Sequence, residues 1–221
     1  PVGYERKWCY DMVIGAFGLP RCGKTTWLAK VAFEERQRIY KGTSKYQNIV
    51  STTQLMGCDL VSRETLVNKN FYNTLILIDE VSLFFGNRDW KQFGERATHM
   101  FNMHGHYGNQ IIWASQKVDD IDVKVFAVTE RLYYVRKSRL TKTTKLYLCP
   151  HVVVFDEKTA RPIQGFGKPK MLSRLFALRV DRPAYYDLFD THAFMDSVLY
   201  GHQTYASDDN HVPFAAITSG C

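Results

Sequence analysis

The chain has 221 residues, of which 45% are hydrophobic and 23% charged, and its formal net charge is +7. That length and composition suit one globular domain, or one with an appendage, and no run approaches the eighteen apolar residues that would span a membrane. The five cysteines are scattered and odd in number, which favours reduced thiols in a cytosol over a disulfide framework.

Apolar runs alternate with helical periodicity along the first part of the chain. Apolar residues at helical spacing predict one helix from Thr25 to near Gly42 and another from about residue 88 to residue 103. Short apolar runs predict five buried strands, at residues 12–17, 48–51, 75–78, 111–114 and 132–135. Because strands alternate with helices, we predict an α/β fold with an open, mostly parallel sheet and helices on both faces.

The pattern changes at about Thr144. Residues 146–148 and 152–155 predict the strands of a β-hairpin, and a Gly/Pro/Lys loop at residues 165–170 precedes a further apolar run. We predict three parts: a core at residues 1–143, a β-rich basic appendage packed on it at residues 144–200, and a loosely ordered tail at residues 201–221.

Positive charge is concentrated in residues 131–182, where there are thirteen Lys or Arg and three acids, a local net charge of +10. A basic appendage on a near-neutral core indicates an anionic partner, either nucleic acid or an acidic membrane surface. A basic face that meets only solvent is the alternative.

A glycine-rich segment, Gly18-x-x-x-x-Gly23-Lys24-Thr25, follows the first predicted strand. A strand before it and a helix after it predict a loop whose backbone N–H groups point at phosphate oxygens. Lys24 would place its charge between the β- and γ-phosphates, and the Thr25 hydroxyl would bind Mg²⁺. A glycine turn that merely joins strand to helix is the alternative. The predicted nucleotide-binding residues are Gly18, Leu19, Pro20, Arg21, Cys22, Gly23, Lys24, Thr25 and Thr26.

Two acids end the apolar run at residues 75–78, in the segment "LILIDE". Asp79 is predicted to hold Mg²⁺, and Glu80 to polarise the water that attacks the γ-phosphate. The alternative is that both acids cap a turn after a core strand. Gln116 follows the next strand and is predicted to sense the γ-phosphate, and an ordinary exposed glutamine in a turn is the alternative. Glu80, Lys24 and Gln116 are thus the predicted catalytic residues.

Three histidines lie near the end of the second predicted helix: His99, His104 and His106. These histidines could bind a metal ion or make polar contacts at the end of the helix. No cysteine or carboxylate lies near them at the spacing of metal ligands, which favours the polar contacts.

The segments "GLPRCGKTT", "LILIDE" and "HGHYGNQIIWASQ", followed by "DDID" and "ER", resemble the zonular occludens toxin (Zot) domain family. The resemblance covers residues 12–136, and "YYDLFDTHA" at residues 185–193 resembles the segment that closes the domain. It implies a RecA-like P-loop ATPase related to the DNA-pumping enzymes of the FtsK and HerA type. Relatives often carry an arginine between the histidines, where this chain has Gly105. The arginine that a neighbouring subunit would supply is therefore unplaced, with Arg96 and Arg131 as candidates.

This resemblance also implies an activity, cofactors, partners and a cellular location. Its relatives include the morphogenesis ATPase of filamentous phages, so we expect an ATP-hydrolysing motor that uses ATP and Mg²⁺ and forms a homo-oligomeric ring. The expected partners are phage DNA and coat or assembly proteins. The expected location is the cytoplasmic face of the host bacterial inner membrane, reached through a segment outside this chain. Three alternatives stay open: a DNA-packaging or conjugation translocase, a nucleotide kinase, and a non-enzymatic toxin or binding module with a vestigial loop.

Overall fold

The computed structural model describes residues 12–85, 90–119, 121–138, 140–155, 162–170, 173 and 176–189. The chain divides into two compact units, residues 1–190 and 191–221, and the second lies outside the described residues, as does the predicted tail. The strands are β1 (Val13–Phe17), β2 (Asn48–Ser51), β3 (Asp59–Leu60), β4 (Thr74–Ile78), β5 (Gln110–Ser115), β6 (Arg131–Lys137), β7 (Thr143–Cys149), β8 (His151–Phe155), β9 (Pro162–Phe166) and β10 (Leu178–Asp181). The helices are α1 (Lys24–Tyr40), α2 (Arg63–Asn68), α3 (Val81–Phe84), α4 (Trp90–Met103) and α5 (Val123–Ala127), with a short 3₁₀ helix at Pro183–Leu188.

Eight strands form one central sheet in the order β10-β7-β6-β1-β5-β4-β2-β3. The strands β1 to β6 pair in parallel, whereas β7 and β10 add to the β6 edge in antiparallel orientation. The prediction of an α/β fold with a mostly parallel sheet is therefore confirmed. The five strands predicted from apolar runs are also confirmed, with ends that shift by a residue or two.

The sheet carries a hydrophobic core on each face, because alternate residues of a strand point in opposite directions. On one face Ile14 and Ala16 pack with the buried side of α1, which includes Trp27 and Leu28. On the other face Val13 and its neighbours in β4 and β5 pack under residues of α2, α3, α4 and α5. Central strands buried on both faces need apolar residues at every position, which is why they read as continuous apolar runs.

The region after residue 143 pairs differently from the prediction. Residues 146–148 lie in β7 and pair with β6 and β10, while β8 pairs with β9 in a separate two-stranded sheet. Only Pro150 separates β7 from β8, and a tight hairpin needs a loop of at least two residues. The hairpin exists, but its strands are β8 and β9. The division of the chain into core, appendage and tail stays a prediction.

Within the described residues, the structure has no helix with the length and apolar character needed to cross a membrane.

Candidate nucleotide-binding site

The predicted site residues lie at the carboxyl ends of the parallel strands of the central sheet. Residues 18–26, here called the phosphate loop, lead from the end of β1 into the first turn of α1, and the parallel strands β4 and β5 end on the same side. Asp79 and Glu80 follow β4, and Gln116 follows β5. Open α/β sheets bind their ligands at the carboxyl ends of parallel strands, so this edge is the expected place for a site.

Two glycines give the phosphate loop its path. A Cβ at Gly18 would lie 2.4 Å from the carbonyl oxygen of Val135 in β6. Gly23 has φ +97°, and a Cβ there would lie 2.1 Å from Thr144 Oγ1. The motif glycines therefore serve close packing against β6 and β7, together with a backbone conformation that side chains disfavour.

Lys24 is buried in the phosphate loop, with 7% of its surface exposed. Its ammonium Nζ donates hydrogen bonds to the carbonyl oxygens of Gly18 at 2.9 Å and Leu19 at 3.2 Å. The two ion pairs found among the described residues involve Lys30 and Arg38, so none holds Lys24. A buried ammonium held by loop carbonyls, without a carboxylate partner, fits an anionic phosphate.

The phosphate loop is joined to β4 by a hydrogen bond between the two predicted magnesium ligands. The hydroxyl of Thr25 donates to Asp79 Oδ2 at 2.6 Å. Burial raises the pKa of the Asp79 carboxyl, and the Glu80 charge adds to that rise, while the Thr25 hydrogen bond and the Lys24 charge oppose it. A hydroxyl and a carboxylate in contact supply the hard oxygen ligands that Mg²⁺ prefers, so these residues fit the ion.

Thr52, at the end of β2, braces Asp79 from the neighbouring strand. Its Oγ1 accepts a hydrogen bond from the Asp79 backbone N–H at 3.0 Å and lies 3.4 Å from the Asp79 carbonyl oxygen. Sequence reasoning missed this residue, although its place directly after a predicted strand was the signal that could have found it.

Glu80 has a backbone conformation that is unusual for a side-chain-bearing residue, with φ 50° and ψ 60°. Its Oε1 accepts hydrogen bonds from Ser82 Oγ at 2.9 Å and from the backbone N–H of Gln116 at 3.1 Å. The hydroxyl of Ser115 lies 3.2 Å from the same oxygen. The left-handed backbone costs on the order of 1–2 kcal/mol, and these contacts hold the carboxylate in one place at the end of β5.

Gln116 reaches the site through its backbone. Its N–H contacts Glu80, while the residue as a whole is exposed. The main chain at the carboxyl end of β5 is thus in contact with Glu80, and the predicted sensing by the Gln116 side chain stays a prediction.

Two residues that lie much later in the sequence, Thr144 and Arg182, also contact the phosphate loop. Sequence reasoning missed both of them. Thr144 Oγ1 in β7 donates to the carbonyl oxygen of Cys22 at 2.7 Å. Arg182, directly after β10, is buried and its Cδ would lie 3.2 Å from a Cβ at Gly23. No local pattern signals either residue, because the first contact joins positions 122 apart in sequence.

Cys22 sits inside this contact region. Burial raises the pKa of its thiol, and the charges of Lys24 and Arg182 oppose the rise. A buried thiol with a raised pKa is a weak nucleophile, so the Cys22 thiol is not expected to act as a nucleophile in this site.

The other candidate residues lie away from the phosphate loop. His104 Nδ1 contacts the Phe101 carbonyl oxygen at 2.5 Å, and the His99 ring lies 6.2 Å from the Tyr107 ring. Within the described ranges, no three His, Cys, Asp or Glu side chains are grouped to hold a metal. Arg96 donates to Asn68 Oδ1 on α2, and Arg131 begins β6.

Comparison with known proteins gives one family and several similar structures. The family model of the zonular occludens toxin (Zot) matches residues 28–165, a range that includes Asp79, Glu80 and Gln116 and begins after the phosphate loop. The crystal structure of the N-terminal domain of zonular occludens toxin from Neisseria meningitidis aligns with a TM-score of 0.52 at 14% identity, covering 82% of this chain and 100% of that one. No curated protein sequence matches the chain.

Lower similarity is found to B204, the DNA-packaging ATPase of Sulfolobus turreted icosahedral virus. That alignment has a TM-score of 0.42 at 13% identity and covers 73% of this chain and 98% of that one. The genome-packaging NTPase B204 of Sulfolobus turreted icosahedral virus 2, in complex with ATPγS, aligns with a TM-score of 0.42 at 13% identity. That alignment covers 72% of this chain and 97% of that one.

Proposed function

The chain belongs to the zonular occludens toxin (Zot) family, and from that premise we propose that it is an ATP-hydrolysing motor that drives assembly and extrusion of a filamentous phage. The observation that carries the enzymatic part is the joined site. A buried lysine, a threonine hydroxyl and a buried aspartate come together between the phosphate loop and β4, with the Thr25–Asp79 hydrogen bond at 2.6 Å. A nucleotide site that had lost its function would not be expected to have all three of these residues in contact-forming positions.

Each residue has a distinct role in the proposed reaction. The Lys24 ammonium exchanges its loop carbonyl partners for phosphate oxygens and neutralises charge there. Thr25 and Asp79 would hold Mg²⁺, which supplies charge neutralisation at the phosphates. Glu80, fixed by Ser82 and the Gln116 N–H, accepts a hydrogen bond from the attacking water and orients it.

The proposed polyanion partner is phage DNA, and a row of cations on the sheet supports it. Arg136 of β6, Lys145 of β7 and Arg179 of β10 lie side by side across three paired strands. Like charges on neighbouring strands repel, so an anion along the row would stabilise it. Tyr134 and Tyr147 lie on the same face, two residues along from Arg136 and Lys145. Their rings stack with centroids 6.4 Å apart and offer apolar surface to bases.

The same cations would serve a DNA-packaging translocase, so the phage role rests on family membership. Membership likewise supports the proposed location at the cytoplasmic face of the host inner membrane, with a tether outside this chain. Coat or assembly proteins and a homo-oligomeric ring belong to the same proposal.

The test of the enzymatic role separates binding from turnover. Lys24→Ala is expected to weaken ATP binding by about 10- to 100-fold, because it removes charged hydrogen bonds to phosphate. Glu80→Gln is expected to keep ATP binding and lower kcat by about 10²- to 10⁴-fold, because it removes the group that acts on water. Nucleotide affinity and steady-state phosphate release are measured for both.

Matched controls come from exposed residues of the same types. Lys41→Ala at the end of α1 and Glu64→Gln in α2 are expected to behave as wild type. Wild-type protein that releases no phosphate from ATP would favour the non-enzymatic alternative. Wild-type turnover in Glu80→Gln would remove Glu80 as the catalytic base.

A further inference from the structure

Arg182 is a largely buried cation that has no anionic partner among the described residues. Only 8% of its surface is exposed. Its backbone N–H and its Nε both donate to the carbonyl oxygen of Lys142, at 3.1 Å and 3.0 Å. Across the described part of the chain, no carboxylate pairs with Arg182, and no acceptor contacts its two terminal nitrogens, which keep some exposure. A buried charge costs free energy unless an anion compensates it.

The anchoring of Arg182 directs it to the phosphate loop. The double hydrogen bond to Lys142 fixes the side chain against the start of β7, where Thr144 holds the Cys22 carbonyl. The aliphatic stem lies against the backbone of Gly23. The Arg182 charge also reaches the neighbouring Cys22 thiol, where it opposes the rise in pKa that burial causes. The Arg182 side chain therefore lies beside the phosphate loop, although Arg182 is 158 positions further along the chain than Lys24.

We propose that Arg182 is a phosphate-binding residue of the nucleotide site, which pairs its guanidinium with the phosphate chain of the bound nucleotide alongside Lys24. This inference rests on the proposed function, since it assumes that the phosphate loop binds a nucleotide. Arg182 acts within its own subunit, so it is distinct from the arginine expected from a neighbouring subunit. A planar guanidinium can bind two phosphate oxygens at once, which a lysine cannot do.

The experiment replaces Arg182 in two ways and measures two ligands. Arg182→Met keeps the stem and removes the charge, whereas Arg182→Lys keeps the charge. ADP affinity is measured by titration, and pyrophosphate affinity by competition, since pyrophosphate has the phosphates without the base. Arg182→Met is expected to weaken both ligands by the same factor, about 10- to 100-fold, and Arg182→Lys to recover part of that loss.

Arg36→Met is the matched control, because Arg36 lies about three turns along α1 from Lys24 and its side chain donates to the Gly57 carbonyl oxygen, away from the phosphate loop. It is expected to bind both ligands as wild type does. The thermal unfolding midpoint of each variant shows whether the fold is intact.

Three outcomes would overturn the inference. ADP affinity within about twofold of wild type in Arg182→Met would show no contact with the ligand. Loss of ADP affinity with unchanged pyrophosphate affinity would assign Arg182 to the base or ribose. Equal losses in the Met and Lys variants, with equally lowered midpoints, would assign it a structural role. If wild-type protein binds neither ligand, the proposed function itself fails, which is distinguishable because Lys24→Ala would then change nothing.

Discussion

Replacing Gly23 by alanine tests whether β7 really packs against the phosphate loop. The new Cβ would lie 2.1 Å from Thr144 Oγ1, far inside van der Waals contact, so Thr144 has to move. Movement breaks its 2.7 Å hydrogen bond to the Cys22 carbonyl and leaves a buried acceptor unpaired. That costs about 1–3 kcal/mol, and the φ of +97° adds about 1–2 kcal/mol of backbone strain for a residue with a Cβ.

Gly42→Ala supplies the matched control. Gly42 also has a positive φ, +67°, but a Cβ there would meet no atom within 4 Å. It therefore has the backbone strain and the unfolded-chain entropy gain of a Gly→Ala change, without the clash. Gly23→Ala is expected to destabilise the protein by about 1–3 kcal/mol more than Gly42→Ala does.

The assay is urea unfolding of both variants, with the slope m checked for constancy. A double-mutant cycle with Thr144→Ala adds a second measurement, because that variant lacks the hydroxyl that clashes. In the Thr144→Ala background, Gly23→Ala is expected to lose most of its extra cost over Gly42→Ala, and what is left comes from the 3.2 Å contacts of the new Cβ with Arg182 Cδ and the Cβ of residue 144. Equal costs for Gly23→Ala and Gly42→Ala in the wild-type background would refute the contact between β7 and the loop.

Three further predictions concern the assembly, the polyanion and a thiol. ATPase activity per chain is expected to rise with protein concentration, because a neighbouring subunit completes the site of such motors; constant specific activity over a dilution series would contradict a ring. Replacing Arg136, Lys145 and Arg179 by glutamine is expected to weaken single-stranded DNA binding and to reduce the slope of log affinity against log salt by about 2; binding to anionic vesicles alone would assign the row to a membrane. Burial raises the pKa of the Cys58 thiol from 9.0 to about 12, so its alkylation rate at pH 8 is expected to be far below that of the unfolded chain and to rise with pH well above 9. Peptide mapping after timed labelling measures this, and equal rates in folded and unfolded protein would contradict it.

Local patterns in the sequence were enough to predict the elements and the residue types of the site. The strands β1, β4 and β5 are apolar at successive positions because both of their faces are buried, and that pattern needs no knowledge of the neighbouring strands. The phosphate loop is likewise a contiguous segment between a strand and a helix. Asp79 and Glu80 could be predicted at the same edge, because parallel strands end on the same side of a sheet.

Strand pairing after residue 143 could not be predicted in the same way. An apolar run such as 146–148 indicates a strand but not its partner, since the same alternation suits a hairpin and a sheet edge. The length of the connection determines the pairing. Only Pro150 lies between β7 and β8, and one residue cannot form the turn of a hairpin, so β7 pairs with β6 instead. That pairing brought Lys145 between Arg136 and Arg179.

The sequence by itself determined the phosphate loop, its acidic partners and the α/β class, because these depend on spacing within a few residues. Only the tertiary structure decided that Thr144 and Arg182 complete the surroundings of Gly23, and that Gln116 contacts Glu80 through its backbone. These contacts join segments distant in sequence. The contacts of Thr144 and Arg182 form because β7 and β10 extend the sheet beside β6, and the Gln116–Glu80 contact forms because β4 and β5 are paired. Periodicity reports which face of an element is buried, whereas the neighbour that buries it is set by the pairing and packing of the whole sheet.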